Sequence, residues 1–386
     1  MSRPAPAVSV LMPVRNEERS VAGAIRSVLA QSFQELEILV IDGRSGDGTG
    51  AAVRAVAAED DRVRLLDNPH RTIPHALNIG LAAARGRYVA RVDAHAAVSS
   101  TYLERGVAEL DGDDRVAAVG GRRFGVGEGP AALAVAAALS SPFGVGNSIN
   151  HYADEAQDTD HASFGVFRAD VVRLIGGWDE NLLVNEDVDL DHRILQQGYR
   201  IRYDPKMEIY WQVRRSVRDL GRQYRRYGRG KAAMVRKNGR SAIRMRHLAA
   251  PGLVVWLGGA AVTAITGHPK VAAGMVTPYG AAVLAATAHT IRKGPEPVPE
   301  AARPAGSTGH AGGRAPHQEQ AGAPTSGPGR PGPDVPAEPL RALPLLGAFG
   351  AMHLGWGLGF LEGYLLGLAP ADSSSRDPRA ATPAPR

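Results

Sequence analysis

Three stretches without a single Asp, Glu, Lys or Arg, Leu248 to Thr266, Val271 to Ile291 and Ala342 to Leu361, constrain this chain more than any other feature. Each is long enough to cross about 30 Å of hydrocarbon as a helix, which takes roughly 20 residues. All three are rich in Gly and Ala rather than Leu, so buried helices of a soluble domain are the competing reading. The segment before them favours the membrane. Between Trp211 and His247 there are thirteen Lys or Arg and one acid, Asp219, whereas the other 349 residues carry 32 bases and 38 acids. A basic stretch abutting the first apolar segment is the positive-inside pattern, which places everything before Leu248 in the cytoplasm of a multi-pass plasma-membrane protein. With a membrane to account for the charge, a nucleic-acid partner is not required.

The remaining low-complexity segments are read by composition. Lys293 to Leu340 contains eleven prolines among Gly, Ala, Ser, Glu and Arg, keeps no periodic apolar face, and is expected to be a disordered loop; Pro370 to Arg386 is expected to behave likewise. Met1 to Ala7 lacks the apolar run of a cleavable signal peptide. The absence of cysteine excludes disulfide scaffolds, thiolate nucleophiles and iron-sulfur clusters.

Ahead of the basic segment, apolar runs alternate with helical periodicity. Val8 to Met12 reads as a strand ended by Pro13, and Ser20 to Gln31 as a helix carrying Val21, Ala24, Ile25, Val28 and Leu29 on one face. Strands are predicted at Glu37 to Ile41, Val63 to Leu66 and Tyr88 to Val92, with helices at Ala51 to Ala58 and Ile73 to Arg85. Such alternation implies a mostly parallel α/β sheet with ligand-binding loops at the carboxyl ends of its strands, where Asp42 and Asp93 fall. A dinucleotide-binding fold is disfavoured. The first strand-to-helix turn, Pro13-Val14-Arg15-Asn16-Glu17-Glu18, has no glycine, and Gly46, Gly48 and Gly50 in the second are spaced G-x-G-x-G.

Four polar constellations could carry chemistry. Asp42 either accepts hydrogen bonds from a ribose or base, or caps its own turn. Asp93 and His95 put two potential metal ligands at i and i+2 after a buried strand, or simply form a turn. Glu186, Asp187, Asp189 and Asp191 place four carboxylates within six residues at the start of a helical pattern. The helix dipole favours acids there, and mutual repulsion raises the pKa of at least one, a property useful in a general base. Gln223-Tyr224-Arg225-Arg226-Tyr227 combines amide, guanidinium and aromatic groups suited to a phosphate or a sugar, or to a membrane surface.

Taken in order, Val8 to Glu18, Ile41 to Thr49, Asn78-Ile-Gly80 with Ala84-Arg-Gly86, Val92 to His95, Gly176 to Glu180, Asn185-Glu-Asp187 and Gln223-x-x-Arg-Tyr227 resemble the family 2 glycosyltransferases of GT-A fold. Within them the chain is most similar to the succinoglycan-biosynthesis type, which the Asp-Ala-His triplet, Phe143 to Gly146 and the basic segment before C-terminal apolar helices also match. The resemblance spans about Val8 to His247. It implies that Pro13, Val14, Asn16, Glu17 and Asp42, with Arg71, hold the nucleotide. Asp93 would contact ribose and a divalent metal, Mg or Mn, on the diphosphate, and His95 occupies the third position of a motif that ordinarily ends in Asp. Asp187 would be the catalytic base of an inverting displacement, oriented by Glu186 and assisted by Asp189 or Asp191. Gln223, Arg226 and Tyr227 would grip acceptor and diphosphate, with Tyr227 where processive members carry Trp.

The organisation implied is a cytoplasmic GT-A domain over residues 1–210, a basic interfacial segment over 211–247, two transmembrane helices within 248–291, a disordered loop over 292–341, a third transmembrane helix over 342–368 and a tail over 369–386. The donor would be a nucleotide diphosphate sugar, with UDP-sugars favoured, and the acceptor a lipid-linked, polyprenyl glycan intermediate. A polyprenyl-phosphate glycosyltransferase, needing no strong base, and a membrane scaffold that binds nucleotide sugar without turnover are the alternatives. Acceptor and donor specificity would lie between Gly121 and His161.

Overall fold

The computed structural model describes residues 5–299 and 339–370. The N-terminal strands form because they are mostly apolar runs, interrupted inside by Ser9, Glu37 and Arg64, which suit parallel strands covered on both faces. They are β1 (Val8–Val14), β2 (Leu36–Asp42), β3 (Val63–Asp67) and β4 (Tyr88–Arg91), alternating with helices α1 (Val21–Leu29), α2 (Thr49–Glu59) and α3 (Ile73–Ala83). Two layers result from side-chain alternation. Val8, Val10 and Met12 face a core shared with α1 and α2, whereas Leu11, Leu39 and Ile41 face a second core with Ala76, Leu77 and Leu81 of α3. The α3 layer lies so close that a Cβ on Gly80 would sit 2.9 Å from Leu11 Cδ2. One charge is built into the sheet: Glu37, almost fully buried, accepts from Ser9 Oγ at 2.8 Å and from Arg85 Nη2 at 2.7 Å, tying β1 and β2 to the turn before β4.

The second half of the sheet is mixed. It adds β5 (Ala96–Val98), β6 (Val116–Val126), β7 (Gln157–Thr159), β8 (Val166–Arg168) and β9 (Arg200–Gln212). Strand order is β3-β2-β1-β4-β8-β6-β9-β5, with β7 also pairing β9. Pairings from β3 through β4 and between β6 and β9 are parallel, while those of β8, β5 and β7 are antiparallel. The order reverses between β1 and β4, so the loops after these two strands flank a crevice of the kind where α/β sheets bind ligands.

Helices α4 (Tyr102–Gly112), α5 (Gly129–Leu139), α6 (Pro142–Val145), α7 (Ala169–Leu174) and α8 (Glu186–Gln196) complete the layers of the α/β domain. The basic segment becomes α9 (Val217–Asn238), started by Ser216, whose hydroxyl accepts the Asp219 N–H at 3.1 Å. Three helices long and apolar enough to cross a membrane follow: α10 (Arg246–Ile265), α11 (Pro269–Lys293) and α12 (Ala342–Leu366). The sequence treats them alike; the structure separates them. The most apolar windows of α10 and α11 are only 11% and 17% buried, and they expose Val255, Trp256, Ile265 and Leu284. That of α12 is 39% buried, and its Leu345, Ala348 and Phe349 are fully enclosed in the core that also serves β1.

α12 runs parallel to α9 along its length. Gly355, Gly359 and Gly363, spaced four apart, lie against Gly221, Arg225, Arg229 and Ala232. A Cβ on Gly355 would stand 2.7 Å from the Gly221 carbonyl oxygen, and one on Gly359 would overlap that of Arg225. This is close small-residue helix packing of the kind used inside membranes, here between an apolar helix and the most basic helix in the chain. At its far end Glu362 receives Arg225 and Arg229, the latter at 2.8 Å. The loop expected to be disordered lies mostly, and the tail after residue 370 wholly, outside the described residues.

Candidate active site

A cleft of about 2040 Å³ opens at the crevice and continues to the apolar helices. Its walls include Pro13, Val14, Asn16, Glu17 and Arg71 from the first loops, Asp93 and His95 after β4, Glu186 and Asp187 at the start of α8, and Gln223, Arg226 and Tyr227 on α9. These groups are far apart in sequence, and the fold brings them together. Asp42 stands outside. Its Oδ1 accepts Ser45 N at 3.0 Å and Ser45 Oγ at 2.6 Å, the turn-capping alternative, and neighbouring Gly43 lines the cleft instead.

The loop after β1 is braced by the loop after β2. Asn16 N donates to Ser45 Oγ at 2.9 Å, Gly46 N donates to Asn16 Oδ1 at 2.9 Å, and Glu17 N donates to Thr49 Oγ1 at 2.7 Å. Asn16, Arg71, Phe164 and Asn185 all have φ between 52° and 63°, a region non-glycine residues seldom occupy, and all four line the cleft. Of the non-glycine residues with positive φ among the described residues, only Arg44 lies elsewhere. Backbone strain is thus concentrated where a ligand can be gripped.

Arg91, the last residue of β4, organises the acids. Its Nε meets Asp93 Oδ1 at 2.9 Å and its Nη1 meets Glu186 Oε1 at 3.0 Å, so one buried guanidinium joins the β4 loop to α8. His95 Nδ1 approaches Glu17 Oε1 to 3.4 Å across the crevice. Burial pushes the Glu17 carboxyl up, but hydrogen bonds from His95 and Ser20 outweigh it and leave it below the usual range. Burial likewise pulls the His95 imidazole down, and Glu17 and Asp93 more than restore it.

The four carboxylates of α8 have different fates. Asp189 is fully buried, accepting Arg193 Nε at 2.8 Å, Lys237 Nζ at 3.0 Å and Asn238 Nδ2 at 2.7 Å; it holds α8 to α9 and cannot assist at the cleft. Asp191 is also fully buried, its Oδ2 accepting His161 Nδ1 at 2.6 Å and Ala162 N at 3.0 Å. Glu186 is held by Arg91. Only Asp187 reaches the cleft without an ion pair closer than 3.9 Å, the distance of its Oδ2 from His161 Nε2. The expected pKa rise falls on its neighbours: burial, then the Asp187 charge, raises Glu186, and burial raises Asp191 against its bond from His161. Burial also acts upward on Asp187, but the charges of His161 and Arg91 and the Val188 N–H hold it below the usual aspartate range. It is therefore ionised at neutral pH.

Asn185 supplies the turn that aims α8, and its Nδ2 donates to the Tyr227 carbonyl at 3.2 Å. Gln223 Nε2 donates to Tyr227 Oη at 2.7 Å, so these two members of the α9 motif position one another, while Arg226 Nε is buried with no partner among the described residues. Three groups escaped the sequence reading. Arg91 sits two residues before Asp93. His161 lies 26 residues before Asp187, and no pattern announces it. Arg123, on β6, has its guanidinium 4.6 Å from the Trp211 ring and 5.5 Å from Phe164, with its Nε unpartnered, and lines the cleft. Burial pulls its pKa down, against the opposing charges of Asp187 and Asp93.

Among the described residues no three His, Asp or Glu side chains form a complete metal cage. Asp93 with His95 beside it nevertheless fits an ion of the Mg or Mn kind, which takes one or two protein ligands and completes its shell from substrate phosphates and water.

Residues 9–168 match the family described as Glycosyl transferase family 2. The chain is 33% identical over 250 residues to the succinoglycan biosynthesis protein ExoA of Rhizobium meliloti, covering 63% of this chain and 72% of that one. It is 31% identical over 223 residues to the pre-mycofactocin glycosyltransferase of Mycobacterium tuberculosis, covering 55% of this chain and 44% of that protein. Among solved structures, the mannosyltransferase PcManGT from Pyrobaculum calidifontis, in complex with GDP-Man and Mn2+, aligns with a TM-score of 0.55 and 24% identity over 74% of this chain and 83% of that chain.

Proposed function

From the premise that this chain belongs to glycosyl transferase family 2 and has a GT-A catalytic domain, we propose that it moves a sugar from a nucleotide diphosphate sugar to a hydroxyl of a lipid-linked acceptor, with inversion at the anomeric carbon. The observation that carries this reading is Asp187, the carboxylate of its cluster that faces the cleft with no ion pair closer than the His161 imidazole at 3.9 Å, across Arg91 from Asp93. It would take the proton as the acceptor oxygen bonds to C1 and the C1–O bond to the diphosphate breaks. Arg123 and Arg226 line the same cleft and, among the described residues, the Nε of each has no hydrogen-bond partner; their positive charge would offset the negative charge that grows on the departing nucleoside diphosphate. Asn16, Glu17 and Arg71 are assigned to the nucleotide, and Pro13 and Val14 to the floor beneath it.

Asp93 and His95 would hold a divalent cation. Such an ion, when bound, neutralises the diphosphate and makes it a better leaving group. The apolar helices and the basic segment support a reading in which the acceptor side of the cleft meets a membrane, the catalytic domain is cytoplasmic and the role is in exopolysaccharide or cell-envelope glycan synthesis.

The test is incubation of membranes containing the full chain with labelled UDP-glucose, UDP-galactose, UDP-N-acetylglucosamine and GDP-mannose, with Mn, Mg or neither. The expected result is label in the organic-extractable lipid from one donor, dependent on metal and lost in Asp187→Asn. Lipid labelling that survives in Asp187→Asn would remove the base from the mechanism and favour a phosphate acceptor.

A further inference from the structure

One part of the cleft is not used by this mechanism. Lys231 lies on α9 one turn beyond Tyr227, only 6% exposed. Its ammonium has a single contact among the described residues, Met234 Sδ at 3.4 Å, and no carboxylate within 4 Å. Burial draws its pKa down to about 8, with Arg246 adding to the effect, so an ammonium is kept in the interior without a counter-ion. That is costly unless something supplies one.

Its surroundings are cationic. Arg244 Nη1 lies 2.8 Å from Asp160 Oδ2, and Arg246 reaches the same oxygen, with its Nη1 on Asn147 Oδ1 at 3.1 Å. The local sum is three cations against one carboxylate, because nearby Asp189 is already taken by Arg193 and Lys237. His247 adds no charge as placed, because an imidazole whose Nδ1 accepts Arg244 N at 3.1 Å is neutral. Lys231, Arg244 and Arg246 all line the cleft.

Position decides what anion fits. On one side the pocket is coupled to the base, since Asp160 precedes His161, the neighbour of Asp187. Gly230 also packs so closely that a Cβ there would lie 2.9 Å from Val184, just ahead of Asn185. On the other side the cleft becomes apolar, walled by Ala250 and Leu253 of α10, Val283 and Ala286 of α11, and Met352 and Trp356 of α12. A ligand spanning both needs an anionic group joined to a long apolar chain.

Building on the lipid-acceptor reading above, we propose that Lys231, Arg244 and Arg246 form a headgroup subsite for the phosphate or diphosphate of a polyprenyl carrier, whose chain lies in the groove between α10, α11 and α12. The headgroup supplies the counter-ion that Lys231 lacks, and the sugar beyond it is held facing Asp187.

The test is equilibrium binding to the full chain in detergent micelles, so that it does not depend on turnover. Farnesyl diphosphate is titrated calorimetrically, with farnesol, inorganic diphosphate and UDP as separate arms, against wild type, Lys231→Met and Arg244→Gln. Lys231→Met replaces a buried charge with an apolar chain of similar length, so folding is preserved, and thermal unfolding checks this. Arg244→Gln touches a half-exposed residue and serves if the first variant misfolds. The expected result is that wild type binds farnesyl diphosphate at least about tenfold more tightly than farnesol or inorganic diphosphate, and that each variant loses about tenfold, equal to about 1.4 kcal/mol, while UDP affinity stays within about twofold. Equal affinity for farnesol would overturn the headgroup subsite. Equal affinity for inorganic diphosphate would make it a free-anion site, and displacement of farnesyl diphosphate by UDP would merge it with the donor site; either result refutes the proposal. A chain that fails to transfer sugar yet shows the expected binding would sink the functional reading and leave the subsite standing.

Discussion

Replacing Asp191 by Asn tests whether the buried His161–Asp191 pair acts on the reaction through Asp187. The substitution keeps shape and an oxygen for the Ala162 N–H, but removes the charge 2.6 Å from His161 Nδ1 that helps hold the imidazole protonated. A neutral His161 no longer stabilises the Asp187 anion 3.9 Å away. Two unit charges about 4 Å apart interact by about 4 kcal/mol at an effective dielectric constant of about 20. Asp187 is 35% exposed, so screening must be allowed for. An effect of about 1 to 1.5 kcal/mol remains, or about one pKa unit. Because the Asp187 carboxyl is depressed in the intact protein, losing a cation moves it upward. The acidic limb of kcat/KM should therefore rise by about one pH unit, with the plateau at higher pH retained within a few fold. Initial rates of label transfer from pH 3 to 9 read this, because the depressed Asp187 carboxyl puts the wild-type limb at the acid end of that range, with thermal unfolding and donor binding confirming an intact fold. An unmoved acidic limb would refute the electrostatic link. A folded Asp191→Asn as dead as Asp187→Asn at every pH would show that Asp191 takes part in the chemistry itself.

Gly359→Leu forces a side chain into the Arg225 carbonyl and should cost about 1–3 kcal/mol or more, seen as a fall in the unfolding temperature of the detergent-solubilised protein; an unchanged midpoint would mean that α9 and α12 are not packed as described. A chain ending at residue 293 lacks Leu345, Ala348, Phe349 and Met352, which belong to the catalytic-domain core, and should aggregate on size-exclusion chromatography; a monodisperse, donor-binding product would show α12 to be dispensable to the core. Asp93→Ala should abolish metal-dependent binding of the nucleotide sugar in calorimetry with Mn, and unchanged affinity would remove Asp93 from the donor site.

The first seven elements were legible because each strand there is a mostly apolar run and the helices between them carry apolar residues at helical spacing. Pro13 is the instructive miss: it reads as a strand end, yet β1 runs on to Val14 with Pro13 opposite Ile41 in the ladder. Beyond Val92 local pattern gave little, since β5, β7 and β8 are three-residue strands whose existence depends on partners far away in sequence. The site was legible as motifs but not as contacts. Asp187 and Asp93 stand out in the chain, whereas the guanidinium of Arg91 that joins their loops, the imidazole beside Asp187 and the cation of Arg123 are properties of assembled structure. For α12, composition resembles that of α10 and α11. The spacing of Gly355, Gly359 and Gly363 was the available sign that one face meets another backbone.

The return of α12 to α9 means that the apolar hairpin of α10 and α11 is tied to the catalytic domain at two points rather than hanging from one. A single junction is a swivel; two make a bracket. The height of Asp187 above the apolar groove then becomes a fixed length of the molecule, working as a ruler against anything anchored in the groove. With a lipid-linked acceptor as proposed, selection would be by reach before any hydroxyl is recognised: a glycan too short would stop below the carboxylate, and one too long would carry its terminal sugar past it.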